Sequence, residues 1–593
     1  MTLISAIEQA RGRLPWWASG LLGVAGLLVG GLLAVRPFQS LTLLVWLTIG
    51  GLLLTGLQLA TANEAGGRPW VGRLVGLLWV GAALLAALWP GLTIRSLALI
   101  AGVALLVGGA LRLVTALLHA RDERLLLGLE GLSHLVFGVL ALALPAVTAL
   151  LLAIAFGLYL LVLGVRQVAA ARAQLRRRDG MRTATRRQWP YLLRLGGAVA
   201  GALAALGTTG LVLAVRAAQP SPPGPFYTPP SPLPIAPAGT ILRTEPVPGF
   251  YTGANAYRVL YLSTGYDGAP TAVSGLIIVP LSSPPPGGRK VVAWTHGTVG
   301  VAKNCAPSLI DGPRYGAALP GLGQLLDAGY VVAATDYQGL GTAGPHPYLV
   351  GASAGANALD NVRAAVNLPE AAVGSEFVVW GESQGGHTAL FTGQLAASYA
   401  PELQLRGVIA SAPASDLVSL FKTKTEQANA VGNILIAMAL TSWAEIYGVG
   451  LDDVVYPSAL PLTRSIAANC IQNADQIQAS IPSASLLNMI FLRNPPWELA
   501  PWNQLLAENT PGGVRTDAPV LIAQGSADQV ISPGVQEQFA ARLCNVGTAV
   551  EYRTYVGIGH LTIAHDTEEE MVAWIGERFA GALASTTCRA TSS

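Results

Sequence analysis

Charge is scarce in this chain. Lysine, arginine, aspartate and glutamate make up 12% of its 593 residues, against about 25% in ordinary soluble proteins. With 52% hydrophobic residues and a mean hydropathy of +0.49, part of the chain must face lipid. The net charge is only +3, and no basic domain or basic–aromatic interleaving occurs, so nucleic acid is excluded as an expected partner. Cysteine is scarcer still. Cys305, Cys470, Cys544 and Cys588 are the full set, and all lie in the second half of the chain or close to it. No two have the close spacing of a zinc site, so neither metal nor cofactor is expected. Outside a cell, four cysteines pair most simply as two disulfides, with three possible pairings.

The apolar excess is concentrated in residues 17–217. Seven stretches there are long enough to cross a bilayer, which takes roughly 20 helical residues. They lie near 17–35, 39–60, 70–88, 92–118, 126–144, 146–170 and 191–217. The first lacks a small-residue cleavage site and more apolar segments follow closely, so it reads as a span and not as a cleavable signal peptide. Positive loops tend to stay cytoplasmic. Arg11 and Arg13, then Arg121 and Arg124, then the run from Arg172 to Arg187 all fall on one side if there are seven spans. The N-terminus is then cytoplasmic, and everything after residue 217 lies outside the plasma membrane.

A repeat runs through this half. Pro37, Pro90 and Pro145 each open an apolar run, and Gly56, Gly109 and Gly164 each follow nineteen residues later. Three helical hairpins of one design account for the spacing, with small residues letting backbones approach. The pattern resembles the six-helix acid-resistance membrane proteins of the HdeD kind across roughly residues 15–172. That resemblance implies a membrane fold and no defined chemistry. Glu130 and His134 share one face near the start of the fifth span, where an interfacial, structural role is expected.

Residues 218–239, AQPSPPGPFYTPPSPLPIAPAG, are too rich in proline for helix and read as an extended linker. Short apolar runs then alternate with helical patterns: SGLIIV (274–279), KVVAWTHG (290–297), YVVAATD (330–336), EFVVWG (376–381), GVIASAP (407–413) and PVLIAQG (519–525). This is the pattern of a mostly parallel sheet covered by helices on both faces. The expected organisation is a membrane domain at 1–190, a seventh span at 191–217, the linker, and an α/β-hydrolase fold at 240–593.

The chemistry is carried by Gly381-Glu382-Ser383-Gln384-Gly385, between an apolar strand and a helix-prone segment. In that context GxSxG marks a tight strand-to-helix turn that exposes a nucleophilic serine. Serine needs a base, and in this fold the order along the chain is Ser, then Asp or Glu, then His. His387, His560 and His565 follow Ser383. His387 is too local, His560 sits in a glycine-rich loop after a strand, and His565 falls in the last helix. His560 is therefore the expected base. Asp528, just past the strand PVLIAQG, is the expected acid, since it ends a strand between the other two. The N–H of Gln384 is the expected first oxyanion donor, and Gly297 or Thr298, in VVAWTHGTVG (291–300), the second. His296 precedes the serine and reads as a loop-orienting residue.

HGT (296–298), NCAPS (304–308), TDYQGLGT (335–342), GESQGG (381–386), SYAPEL (398–403), GSADQVISP (525–533) and GHLT (559–562) occur in that order. Together they resemble the secretory lipase family of the fungal lipase A type, across nearly all of 240–593. The resemblance implies a Ser383–Asp528–His560 triad, the disulfides Cys305–Cys470 and Cys544–Cys588, and a helical lid at about 414–515. Independently, an insertion of that length exceeds an ordinary loop and contains helix-prone runs. The expectation is a membrane-anchored serine esterase or lipase acting on an ester or lipid. The alternatives are acyl transfer by the same residues, or an acid-stress or scaffold membrane protein with an accessory hydrolase.

Overall fold

The computed structural model describes residues 90–118, 121–143 and 220–588, apart from residues 311, 428, 489 and 490, with scattered positions between 17 and 169. The chain divides into two compact units, Met1–Arg216 with Ser485–Ile490, and Ala217–Ala484 with Phe491–Ser593.

In the first unit, α1 (Pro90–Leu118) and α2 (Arg121–Ala143) pack against each other. Pro90 opens α1, where its fixed φ and missing N–H cost nothing. Glycines hold the contact: a Cβ on Gly109 would lie 2.8 Å from the Gly131 carbonyl oxygen, and one on Gly131 would lie 3.0 Å from that of Gly109. Only residues without side chains allow backbones this close. Arg112 bridges to Glu130 across the pair at 3.3 Å, and His134 Nδ1 lies 2.5 Å from the Glu130 carbonyl oxygen. Glu130 is thus tied across the helix pair, and His134 to the carbonyl one turn before it. Arg124 donates to the carbonyls of Ala116 and Leu117, which satisfies orphan acceptors at the end of α1. Of the proline–glycine repeat, Pro37, Pro145, Gly56 and Gly164 lie outside the described residues, as do the arginine run and most of the five remaining apolar stretches.

The second unit is built on a nine-stranded sheet in the order β1-β2-β3-β5-β4-β6-β7-β8-β9. Its strands are β1 (Ile241–Pro246), β2 (Ala254–Thr264), β3 (Pro270–Pro280), β4 (Arg289–Thr295), β5 (Val331–Thr335), β6 (Val373–Glu382), β7 (Gln404–Ser411), β8 (Val520–Gly525) and β9 (Val550–Tyr555). From β5 to β9 the pairings are parallel, while β1, β2 and β3 join antiparallel. The sheet is therefore mixed, with its parallel part where the alternation with helices is regular. Short links join β1, β2 and β3, and such links permit only antiparallel neighbours.

Helices α3 (Gly312–Ala318), α4 (Leu322–Asp327), α5 (Gly351–Val366) and α6 (Gln384–Tyr399) connect the parallel strands up to β7. The sheet has two cores because alternate strand residues point to opposite faces. Val291, Ala293, Phe377 and Val379 join one, and Val292, Trp294, Val378 and Trp380 the other. Between β7 and β8 comes the all-helical insertion α7 (Leu417–Glu426), α8 (Ala430–Tyr447), α9 (Leu451–Val454), α10 (Leu460–Ala467), α11 (Ala474–Leu487) and α12 (Trp502–Glu508). Among the described residues α8 alone is long and apolar enough to cross a membrane, yet 61% of it is buried within the protein. It is a core helix of the insertion. The chain closes with α13 (Pro533–Asn545), β9, α14 (Ile563–Asp566) and α15 (Glu568–Phe579).

The described part of the proline-rich segment lies on this unit. Tyr227 is buried and its hydroxyl meets Ser308 Oγ at 2.8 Å, while Arg243 donates to the carbonyls of Pro225 and Phe226. Proline removes N–H donors but leaves carbonyls, and the arginine takes them up. The pairs Cys305–Cys470 and Cys544–Cys588 are bonded, the first tying the loop after β4 to the helical insertion.

Candidate active site

Ser383 stands between β6 and α6 with φ +56° and ψ −114°. A non-glycine residue holds such a backbone only where its surroundings impose it. Here its N–H donates to the Ser411 carbonyl at 2.9 Å, and its carbonyl accepts from His387 N–H at 3.0 Å and Ala414 N–H at 3.2 Å. The flanking glycines have a steric cause. A Cβ on Gly381 would come within 2.1 Å of Thr295 Oγ1, and one on Gly385 within 1.8 Å of the Thr295 carbonyl oxygen. Because β4 and β6 are parallel neighbours with Thr295 opposite Gly381, the loop after β4 is pressed against this elbow.

Asp528 and His560 reach the serine because β8 and β9 are parallel neighbours whose following loops are stitched together. Ser526 N–H donates to Tyr555, and Ala527 N–H to Ile558. His560 Nδ1 lies 2.9 Å from Asp528 Oδ2, and its Nε2 lies 2.9 Å from Ser383 Oγ. Asp528 Oδ1 accepts from the N–H groups of Val530 and Ile531 at 2.8 Å each, and Oδ2 also accepts from Gln524 Nε2 at 3.1 Å. Burial alone favours the neutral acid. The His560 hydrogen bond and charge, with the two backbone N–H groups, outweigh it and hold the carboxyl below its ordinary range. For His560, burial disfavours the imidazolium, but the bond to Asp528 and the nearby charge of Glu382 overcome it and push the histidine up.

The other histidines go elsewhere. His387 is buried with Nε2 on the Asn509 carbonyl at 2.7 Å, and burial brings it down to about 4. His565 is exposed near Glu568 on the last turns before α15. His296 places Nδ1 on the Gly297 carbonyl oxygen at 2.7 Å and Nε2 on that of Asp336 at 3.2 Å, which braces the loop.

Gln384 begins α6, so its N–H is one of the donors a helix start leaves free. Gly297 and Thr298 lie on the loop facing the elbow. Thr298 Oγ1 bonds Tyr348 Oη at 2.8 Å. Tyr348 is in turn held by α8, through Ser442 Oγ to its N–H and Trp443 Nε1 to its carbonyl. Sequence reasoning missed Tyr348, which has no motif, and Glu382, whose position the motif leaves open. Glu382 Oε1 stands 3.6 Å from His560 Nε2. Among the described residues no cluster of side chains could hold a metal ion.

Residues 315–475 and 501–586 match the secretory lipase family. Residues 74–140 and 129–206 match a short repeat of unknown function, DUF308, the HdeD-like membrane family. The chain is 25% identical over 378 residues to "Probable inactive lipase MT1628" of Mycobacterium tuberculosis (strain CDC 1551 / Oshkosh), spanning 60% of this chain and 82% of that protein. It is 30% identical over 228 residues to "Lipase A" of Moesziomyces aphidis, spanning 36% of this chain and 47% of the relative. The solved structure of Candida antarctica lipase A in its closed state superposes with a TM-score of 0.53 at 19% identity, covering 63% of this chain and 89% of that one. That likeness shows a lipase-like α/β-hydrolase fold. The C-terminal part of this chain is thus similar to the secretory lipase family, and two matches to DUF308 precede it.

Proposed function

We propose that this chain is a membrane-anchored, extracytoplasmic serine esterase or lipase that cleaves acyl esters through an acyl-enzyme. The observation that carries the reading is the unbroken hydrogen-bonded series Ser383 Oγ–His560–Asp528, each link 2.9 Å. In the tautomer those contacts require, Nδ1–H donates to Asp528 and Nε2 accepts the serine proton. Ser383 Oγ attacks the ester carbonyl as its proton passes to Nε2, and Asp528 stabilises the imidazolium. The N–H of Gln384 and that of Gly297 or Thr298 receive the oxyanion. The departing alcohol takes the proton from Nε2. Water, deprotonated by the same nitrogen, then releases the acid. Each triad position holds a competent residue, which favours an active enzyme although one relative is described as inactive. The family match favours this reading over an accessory role for the hydrolase.

The anchor is read from the seven apolar stretches and the one-sided arginines, with the DUF308 match in support. It comprises a membrane domain at 1–190 and a seventh span at 191–217, ahead of the linker at 218–239 and the hydrolase at 240–593. Two disulfides and the secretory lipase match support a hydrolase outside the cytoplasm. The helical insertion at about 414–515 would act as the lid, and its apolar helix α8 suits a substrate with an acyl chain. For the full-length protein, Ser383→Ala is expected to abolish fluorophosphonate labelling and to lower ester turnover by about 10⁴-fold or more. Labelling of Ser383→Ala at the parent's level would overturn the assignment.

A further inference from the structure

GxSxG leaves its second position free, yet Glu382 fills it with a group that reaches the reacting atoms. Its Oε1 is 3.6 Å from His560 Nε2, and that same nitrogen contacts Ser383 Oγ at 2.9 Å. Its Oε2 lies against the loop after β4, where a Cβ on Gly297 would approach it to 2.5 Å. The carboxyl is therefore lodged between the base and the loop that offers oxyanion donors. The charged and titratable groups around it are His560 beside it, Asp528 across the imidazole, and Tyr337, which feels its charge. Lys424 lies beyond Asp528 and acts on the same pair. His560 is the one of these that meets the carboxyl directly.

We infer that Glu382 is a positioning residue for the catalytic base: it shares the Nε2 face of His560 with Ser383 and sets the protonation state of that nitrogen. This rests on the reading of Ser383 and His560 as nucleophile and base. As a carboxylate, Glu382 stabilises the imidazolium that forms when Ser383 attacks. Before attack the same charge opposes loss of the last proton from the His560–Glu382 pair. While that proton sits on Nε2, the nitrogen has no free lone pair for the serine hydroxyl, and the site is idle. Once it leaves, the cycle runs with Glu382 ionised throughout: the proton moves from Ser383 Oγ to Nε2, and from Nε2 to the departing alcohol. Burial, partly offset by His560 and reinforced by Asp528, pushes the Glu382 carboxyl up to about 7. With 20% of the side chain exposed, solvent still reaches it and tempers that shift. Carboxyl and imidazole stand 3.6 Å apart, so the protonation of each is linked to that of the other.

The test is the pH dependence of fluorophosphonate labelling and ester kcat/KM for the full-length protein, parent against Glu382→Gln, Glu382→Ala and Glu382→Asp. Removing the charge in Glu382→Gln is expected to move the acid limb to lower pH by about one unit. The plateau above neutrality should fall several-fold. Glu382→Ala should move the limb the same way, which keeps the test open if one variant folds poorly. Glu382→Asp, which keeps the charge, should leave the limb in the parent's range. A role in packing alone would lower the plateau without moving the limb. The inference is overturned if the charge-removing variants melt at the parent's temperature and show its acid limb. Failure of the underlying reading appears separately, as undiminished labelling of Ser383→Ala.

Discussion

At the scale of single residues, the site is a set of three ionisable groups whose neighbours pull in different directions. Asp528 is held ionised by two backbone N–H groups and His560, while Glu382, with no donor besides the histidine among the described residues, is held up by burial. The second has a consequence for stability. Its carboxyl titrates near 7 in the folded protein against an ordinary value of 4.5. Below 4.5 both folded and unfolded chains carry the proton, so the stabilising difference is fully present. As pH rises towards 7 the unfolded chain releases its proton first, and that contribution is lost. Comparing urea midpoints at both ends of this window should show the parent losing more stability with rising pH than Glu382→Gln. Equal slopes would show that the buried carboxyl ionises freely.

At the scale of elements, the elbow depends on how closely α6 approaches β4. Gly385 lies over Thr295 with no room for a methyl group. Gly385→Ala must push α6 from the strand end or distort the elbow, and overpacking of this kind typically costs about 1–3 kcal/mol. The expected outcome is a lower melting temperature together with slower fluorophosphonate labelling, because the displaced helix carries the Gln384 N–H. An unchanged labelling rate would mean that the elbow tolerates the shift. The same closeness serves a different end in the α1–α2 pair, where Gly109 and Gly131 let two apolar helices meet without side chains between them. In both places a glycine reflects the separation of two backbones.

At the scale of the whole molecule, one chain joins residues that match DUF308 to residues that match the secretory lipase family. The proposed topology makes a direct prediction. A membrane-impermeant fluorophosphonate added to intact expressing cells should label Ser383 as fully as it does after permeabilisation. Labelling that requires permeabilisation would reverse the orientation inferred from the arginines. The proline-rich segment also takes on a different character at this scale. Its composition suggests a stiff, extended linker, but Tyr227 and the carbonyls before it are engaged by Ser308 and Arg243. Stiffness is local and legible in composition, whereas docking needs a partner surface that only the folded unit supplies.

Much of the hydrolase could be read from the chain alone, and the reason is that its signals are local. Short apolar runs mark buried parallel strands, GESQG needs its glycines for the turn it makes, and Asp528 and His560 each follow a strand within a few residues. Strand order was not legible in that way. The pairing of β3 with β5, and the antiparallel edge from β1 to β3, join segments that carry no mark of one another. Glu382 and Tyr348 escaped for the same reason. A glutamate beside a nucleophile is an ordinary surface residue by sequence. It became part of the site because β9 brings His560 to the end of β6, and the resulting 3.6 Å contact belongs to the tertiary structure alone.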